Sequence, residues 1–335
     1  MKKEIITLAH GSGGKAYHQL VEQIFLPAFA NTYLTELQDS AVCPLYGEKL
    51  ALTTDSFVVK PRFFPGGDIG RLSVCGTVND IAMSGATPHY LTLAMIIEAG
   101  FELAELRRIC VSIAQAAEEA GVSIVTGDTK VVEKRSVDGI YINTAGCGFF
   151  APGVRPLVGR VEAGDCILVS GTLAAHGMAV LAARENLDFS PAIRSDVAPL
   201  NGLIGKLLAS VPDVHALRDP TRGGAAMTLN EWVVAGKTDI VIKEKDVPVD
   251  SSAAAACRIL GMEPLAVANE GKFLAAVPEG QAEVALAALK SHVLGRDAAI
   301  IGRVIPGQGR LVVETAYGGR RIVAMPEGEQ LPRIC

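Results

Sequence analysis

Short apolar runs alternate with longer amphipathic segments along this chain, and these two periods predict a mixed α/β protein. The short runs predict β-strands at residues 50–54, 90–97, 123–127, 140–149, 165–170, 240–243 and 273–277. The longer segments predict helices at residues 68–83, 102–120 and 177–184, and Gly121 suits the C-cap of the second helix. Alanine-rich stretches at 253–256 and 282–288 also favour helix.

The length of the chain predicts two domains, because 335 residues exceed what one ordinary core accommodates. Around Ala151-Pro152-Gly153 the first run of strands and helices ends, and the pattern then begins again. We therefore expect an N-terminal domain at 1–152, a second mixed α/β domain at 153–320 and a flexible tail at 321–335. The end of the tail has no helical or alternating period.

The composition argues against several classes of protein. There are 31 basic and 36 acidic residues, a formal net charge of −5, and no basic stripe, which disfavours nucleic-acid binding. Apolar runs are much shorter than a membrane span and no signal peptide is recognisable, so we expect a cytoplasmic protein without a membrane segment. The seven cysteines form no C-x-x-C pair, and their odd number favours neither a zinc finger nor a disulfide framework.

A glycine-rich segment near the N-terminus is the first candidate binding site. It comprises His10, Gly11, Ser12, Gly13, Gly14 and Lys15 and precedes a predicted helix. Glycines allow several backbone N–H groups to point at one anion, and a helix N-terminus favours negative charge. The spacing of a Walker A loop is missing, and the G-x-G-x-x-A match is a weak dinucleotide signal. The alternative is a plain turn.

Acidic residues next to predicted strands, or inside an apolar helix, form a second candidate site. Asp55 and Asp128 each follow a predicted strand, and Asn79-Asp80 lies in an otherwise apolar helix. Carboxylates of this kind hold Mg²⁺ together with phosphate oxygens. Caps or turns are the alternative for Asp55 and Asp128, whereas an ionised Asp80 among apolar residues needs a partner or a metal.

Two charged segments of the second half are also candidates for chemistry. The segment 218–224 combines two arginines with a Gly-Gly pair before a predicted helix, which suits an anion. The segment Asn269-Glu270-Gly271-Lys272 precedes a strand and offers an acid and a cation. A solvated turn is the alternative for both.

The chain ends in a thiol, at Cys335. A terminal cysteine contributes little packing, whereas a tethered thiol can carry a group from one place to another. Fully extended at about 3.3 Å per residue, residues 325–335 span about 35 Å.

These motifs occur in the order typical of one superfamily. The segments at 10–15, 54–56, 79–82, 127–130, 164–171 and 176–177 resemble the aminoimidazole ribonucleotide synthetase superfamily. Within it, the segments at 218–224 and 269–272 and the terminal Pro-Arg-Ile-Cys resemble the HypE family of carbamoyl dehydratases, which serve [NiFe]-hydrogenase maturation. One departure is Ala174-Ala175, where relatives often carry Gly-Asp before the His-Gly pair.

The resemblance implies a two-domain PurM-like α/β (α+β) fold that binds ATP at the cleft and forms a homodimer through the N-terminal sheets. It implies that Asp55, Asp80 and Asp128 hold Mg²⁺–ATP, with Asn79 beside them, and that the glycine-rich segment covers the phosphates. It further implies that HypF loads a carbamoyl group onto Cys335. The product would be an S-cyano cysteine, whose cyanide passes to iron on a HypC–HypD complex.

The same resemblance gives a hypothesis for the mechanism. Phosphorylation of the carbamoyl oxygen would turn it into a good leaving group, with Glu270 as the base that removes protons from nitrogen. Lys130 and Lys272 are rivals for the stabilising cation, with Lys130 favoured. The alternatives are an enzyme of the selenophosphate synthetase or thiamine-monophosphate kinase type, a nucleotide-binding scaffold and, more remotely, an NAD-dependent dehydrogenase. Selenophosphate synthetases usually carry a reactive Cys or selenocysteine beside the glycine-rich segment, where this chain has none.

Overall fold

A computed structural model of the chain describes residues 4–11, 15–34, 43–151, 157, 159–325, 331 and 333–335. Within these residues each half of the chain forms a mixed β-sheet with helices packed against it, which confirms the predicted α/β class. The expected domain boundary at 152/153 lies outside the described residues. No helix among the residues described is long and apolar enough to cross a membrane.

The first half contains a four-stranded sheet with the order β1-β6-β4-β5 and a two-stranded ribbon, β2-β3. Its elements are α1 (Lys15–Leu20), α2 (Leu26–Phe29), β1 (Leu50–Phe57), β2 (Phe63–Phe64), β3 (Gly67–Asp68), α3 (Ile69–Met83), β4 (Thr87–Glu98), α4 (Leu103–Ala120), β5 (Ser123–Val132) and β6 (Ile140–Phe149). β4 and β5 are parallel, and the other pairs of the four-stranded sheet are antiparallel.

The second half contains a seven-stranded sheet with the order β13-β12-β9-β11-β7-β10-β8. Its elements are β7 (Asp165–Val169), α5 (Ala175–Glu185), α6 (Asn201–Ser210), β8 (Ala216–Arg218), α7 (Gly224–Gly236), β9 (Thr238–Lys243), α8 (Ser251–Leu260), β10 (Leu274–Pro278), α9 (Ala282–Lys290), β11 (Ala299–Pro306), β12 (Leu311–Glu314) and β13 (Arg320–Val323). Only β9 and β12 pair in parallel among the strand pairs described.

Helix α3 lies at the centre of the molecule because it is apolar on nearly all sides. It begins where the Asp68 side chain accepts hydrogen bonds from the backbone N–H groups of Gly70 and Arg71, an N-cap arrangement. One side of α3 packs on β1 and β6, and other sides meet α4 and α6. A helix of the first half therefore forms a wall shared with the second half.

The end of the chain differs from the expected flexible tail. Residues 320–323 form β13, which pairs with β12, so the first residues of the segment 321–335 belong to the second sheet. At the other end of that segment, Leu331 and Ile334 are buried in the same apolar cluster as helices α3 and α5. Residues 326–330 and 332 lie outside the described part of the chain.

Candidate active site

A cavity of about 780 Å³ lies between the two halves. Its walls come from β1, α3, the loop after β8 and the segment before β10, and the end of the chain closes one side. Five carboxylic acids and one thiol line it, namely Asp55, Asp80, Asp219, Glu231, Glu270 and Cys335. The sequence places these residues far apart, and the fold brings them together.

Asp55 and Asp80 come from facing elements, β1 and α3. Asp55 pairs with Thr144 of β6, and Thr53, two residues earlier on the same face, donates from Oγ1 to Asp80 Oδ2 at 3.0 Å. Gly76 lets the two elements approach closely: a Cβ there would lie 2.9 Å from the Phe57 ring and 3.6 Å from Asp55 Oδ2. Both acids therefore line the same cavity, on two elements that pack against each other.

Asp55 and Asp128 were expected just past strand ends, and this expectation is wrong. Asp55 lies inside β1 and Asp128 inside β5, because backbone pairing continues beyond the apolar run in both strands. Across the sheet the register aligns Asp55 with Thr144, Leu93 and Gly127. Asp128 follows Gly127, so its side chain points to the opposite face from Asp55. Within one chain, Asp128 does not join Asp55 and Asp80.

Asp219 is a site residue that the sequence analysis missed, since the segment 218–224 was considered only for its arginines. It follows β8 and lines the cavity with Asp55 and Asp80. Burial and the charge of Asp80 raise the pKa of Asp219 to about 7. Burial also raises the pKa values of Asp55 and Asp80, and in Asp80 the neighbouring Asp55 adds to the shift. When these acids are ionised, their negative charges repel one another.

Glu270 is held in place through its backbone by two buried asparagines. Asn79 donates from Nδ2 to the carbonyl of Glu270 at 3.2 Å and accepts from the backbone N–H of Leu200. Asn269 accepts from the N–H of Ala174 and donates to the carbonyl of Pro220. Asn79 therefore positions Glu270 in this structure, and its predicted contact with nucleotide stays a prediction.

The carboxyl group of Glu270 is buried among other acids of the cavity. Its side chain is 3% exposed, and burial raises its pKa well above the ordinary value. The charges of Asp219, Asp196, Asp55 and Asp80 act in the same direction. A buried acid with a raised pKa in a cleft is a recognised sign of acid–base function.

Cys335 lines the same cavity because the end of the chain is docked against both halves. The backbone N–H of Val58 donates to the carbonyl of Cys335 at 3.1 Å, and that of Lys60 donates to the carbonyl of Arg333 at 3.2 Å. The Arg333 guanidinium donates to the carbonyl of Val58 and to Asp138 Oδ2. The terminal thiol and these acids thus line one cavity.

Neither rival lysine lines this cavity. Lys130 is exposed and forms a salt bridge at 3.1 Å with Asp128 on the far side of the first sheet. Lys272 is buried, lies 3.3 Å from Asp196 Oδ2 and donates to the carbonyl of Gly271 at 2.9 Å. The pair with Asp196 has ion-pair distance without hydrogen-bond geometry, and Asp196 Oδ2 has no hydrogen-bond partner. Their roles in the reaction stay predictions.

The first described residues of the glycine-rich segment, His10 and Gly11, lie against β5 rather than at the main cavity. A Cβ on Gly11 would lie 2.9 Å from Val131, so the 3₁₀ turn Leu8–Gly11 packs directly on this strand. His10 accepts at Nδ1 from the N–H of Thr7, and Lys15 opens α1. Gly13 and Gly14 lie outside the described residues. A second cavity of about 410 Å³ lies between α1 and β5, with Tyr17, His18 and Asp128 among its lining residues.

The donor set suits a hard cation although its members are not preassembled around one point. No group of three or more His, Cys, Asp or Glu side chains among the described residues is close enough to hold a metal ion as it stands. The carboxylates of the main cavity nevertheless raise one another's pKa values, and a divalent cation would relieve this repulsion.

Comparison with known proteins places this geometry in context. The N-terminal domain model of the AIR synthase related proteins matches residues 37–150, and the C-terminal domain model of the same family matches residues 162–314. A protein named carbamoyl dehydratase HypE from Cupriavidus necator is 48% identical over 337 residues, which cover 100% of this chain and 96% of that protein.

Solved structures agree with the sequence comparison. A crystal structure of hydrogenase maturation protein HypE in complex with ATP matches with a TM-score of 0.94 and 46% identity, covering 98% of this chain and 99% of that chain. A HypE–HypF complex contains a chain that matches with a TM-score of 0.81 and 50% identity, over 92% of this chain and 99% of that one.

Proposed function

Because the chain belongs to the AIR synthase related proteins and, within them, to the HypE family, we propose that it is an ATP-dependent carbamoyl dehydratase that acts on a group carried by its own Cys335. The observation that carries the proposal is the position of the terminal thiol in one cavity with Asp55, Asp80, Asp219 and Glu270. A thiol that only packed would not need these acids around it.

The chemistry requires removal of one oxygen and two protons from the carried group. An S-carbamoyl cysteine, S–C(=O)–NH₂, becomes S–C≡N when its oxygen leaves. Oxide is a poor leaving group, so the γ-phosphoryl group of ATP is transferred to that oxygen, which then departs as phosphate. The balanced products are the S-cyano cysteine, ADP and phosphate. Positioning and charge neutralisation supply most of the rate in such transfers.

Glu270 is the candidate base for the protons on nitrogen. It is buried and lines the same cavity as Cys335. A group carried on the Cys335 sulfur would therefore occupy the cavity that Glu270 lines. Its raised pKa makes it a stronger base once it is ionised. Asn79 binds the carbonyl of Glu270, and the preceding residue, Asn269, binds the carbonyl of Pro220, so the backbone that carries the Glu270 side chain is fixed.

Mg²⁺ fits the acids of the main cavity. Asp55 and Asp80 would hold it. Asp219 lines the same cavity and would act as the third acid, the role that the sequence analysis predicted for Asp128. When bound, the ion would supply positive charge to the phosphates of ATP. Glycine-rich residues 10–15, and Asp128 in the wall of the second cavity, remain candidate nucleotide contacts.

A homodimer would bring Asp128 close to the acids of the main cavity, from which it is separated within one chain. The main cavity extends around the edge strand β1, where Leu52 and Thr54 on the outer face line it together with Asp55. Asp128 and Lys130 lie on that outer face of the sheet, by the register of β5. A second copy packed on this face would bring its Asp128 and Lys130 toward the cavity rim. HypF as the carbamoyl donor, a HypC–HypD complex as the cyanide acceptor and a cytoplasmic location complete the proposal.

Mass spectrometry of the terminal peptide tests this function directly. Chain incubated with HypF, its substrates and no further ATP should acquire a carbamoyl group on Cys335, and added ATP should then remove the equivalent of one water. Cys335→Ala should show neither change, while Cys166→Ala, at a cysteine away from the cavity, should show both. A carbamoyl adduct on Cys335→Ala would contradict the proposal. ATP hydrolysis at the same rate in Cys335→Ala and in the unaltered chain would also contradict it.

Glu270→Gln separates loading from dehydration. The amide keeps the size of the side chain and cannot accept the proton, so loading should proceed and the loss of water should stop. Dehydration at the unaltered rate would remove Glu270 from the role of base.

A further inference from the structure

The proposed function does not use the buried His176, although the His-Gly pair at 176–177 belongs to the motifs of the sequence. His176 is 0% exposed at the start of α5 and lines neither cavity. We infer that His176 is a positioning residue that keeps Cys335 in the cavity by donating a hydrogen bond from Nε2 to the backbone carbonyl of Ile334. The inference rests on the proposed role of Cys335, but its test does not depend on turnover.

The hydrogen bonds around the imidazole define which nitrogen carries the proton. Nε2 lies 2.9 Å from the carbonyl oxygen of Ile334, which can only accept, so Nε2 must be the donor. Nδ1 lies 2.8 Å from Ser195 Oγ, and that oxygen already accepts from the backbone N–H of Val197 at 3.2 Å. The Ser195 hydroxyl can therefore donate to Nδ1. Burial lowers the pKa of His176, which favours this neutral form.

His176 belongs to a set of donors that hold three successive carbonyls of the tail. The carbonyl of Arg333 accepts from the backbone of Lys60 and from the Arg184 guanidinium, and that of Cys335 accepts from the backbone of Val58. Ile334 lies between them, and His176 is its donor. Since backbone carbonyls are recognised, the set fixes the path of the chain and leaves the Cys335 side chain at the cavity.

Packing supports the same assignment. The Ile334 side chain is 2% exposed in the cluster that also contains Ala174 and Met178, next to His176 in sequence. A Cβ on Gly177 would lie 3.0 Å from Leu331 Cδ1, so this glycine leaves room for the tail. Arg333 adopts a left-handed backbone conformation, φ 52°, which an unanchored end would have no reason to keep.

A histidine that merely fills the core would bond to residues of its own domain. One nitrogen of His176 does so, through Ser195, but the other bonds to a residue 158 positions away, at the end of the chain. Loss of that donor leaves a buried carbonyl unpaired only while the tail is docked. The undocked state loses nothing, and docking should weaken selectively.

The test measures how fast iodoacetamide alkylates each cysteine, resolved by peptide mass spectrometry, in the full chain without ATP or HypF. His176→Phe keeps a ring and removes the donor, and we expect about fivefold to tenfold faster alkylation of Cys335. His176→Gln can place an amide N–H near the same carbonyl and should restore much of the protection. Cys75 and Cys110, buried in the core, report on global unfolding and should keep their rates.

Two outcomes would overturn the inference. One is a rate of Cys335 alkylation that does not change in His176→Phe. The other is an equal increase of that rate in His176→Phe and His176→Gln. Should His176→Phe also expose Cys75 and Cys110, Ser195→Ala tests the same chain of bonds with the ring in place. That variant should alkylate Cys335 about threefold faster, because nothing then holds Nδ1 as the acceptor, and an unchanged rate would count against His176.

Discussion

At the scale of single residues, Asp219 connects charge to stability. Its pKa of about 7, against an ordinary value of 3.8, means that between these two pH values the folded chain keeps a proton that the unfolded chain has lost. The free energy of unfolding therefore falls as pH rises through this window. Asp55 and Asp80 are shifted in the same direction and add to the effect.

Asp219→Asn should remove this penalty. Without divalent metal or nucleotide, we expect the variant to be more stable than the unaltered chain near pH 8, by on the order of 1–3 kcal/mol, and similar near pH 4. Thermal melts across this range measure the difference, and Asp188→Asn at an exposed position serves as the control. A variant less stable at the higher pH would show that Asp219 is not under repulsion. The same substitution should lower ATP turnover.

Replacing Lys130 and Lys272 with methionine, one at a time, should change the free energy of unfolding by different amounts. Lys272→Met leaves the buried Asp196 without its cation, which costs about 3–5 kcal/mol in comparable buried pairs. Lys130→Met affects an exposed pair and should change stability by less than about 1 kcal/mol. Urea denaturation measures both. If Lys272 acts structurally, adding Asp196→Asn should recover part of the loss, and no recovery would contradict the pairing.

At the scale of elements, local pattern predicted most strands and helices but not the course of the chain at the site. The apolar run of β1 ends at Thr54 in the sequence, yet pairing with β6 continues the strand through Asp55 to Phe57. The docked tail depends on the segment at 58–60 and on His176, which are distant in sequence. Asp219 joins Asp55 and Asp80 only through the packing of β8 near α3. Such non-local contacts leave no periodic signal.

The approach of α3 to β1 gives a prediction for this element pair. Gly76→Ala would place a Cβ 2.9 Å from the Phe57 ring, beside Asp55, so the helix or the strand must shift. We expect a loss of about 1–3 kcal/mol in the free energy of unfolding. Gly205→Ala is the matched control, since it lies inside α6 with open space around the new methyl group, and should stabilise by about 0.5–1 kcal/mol. Equal effects of the two changes in chemical denaturation would exclude the close approach.

At the scale of the whole molecule, the outer face of the first sheet decides whether the site is built from one chain or two. Leu52 on this face is 73% exposed, and Leu50 and Ile96 are also exposed, although apolar side chains of a sheet gain stability when covered. The same face carries Asp128 and Lys130, and Leu52 itself lines the main cavity. If a second copy of the chain covers this face, its Asp128 lies near the acids of the main cavity. If the face stays uncovered, Asp128 remains apart from those acids.

Leu52→Glu should dissociate the proposed homodimer, because burying a carboxylate between two sheets is costly without a partner. Light scattering after size exclusion should give the monomer mass for this variant and the dimer mass for the unaltered chain. Ile259→Glu is the matched control, as Ile259 has the same 73% exposure on α8 in the other half, and it should remain dimeric. ATP-dependent dehydration should fall with the dimer, since Asp128 and Lys130 would then be missing from the cavity rim. A monomeric Leu52→Glu variant with full activity would instead confine the catalytic residues to one chain.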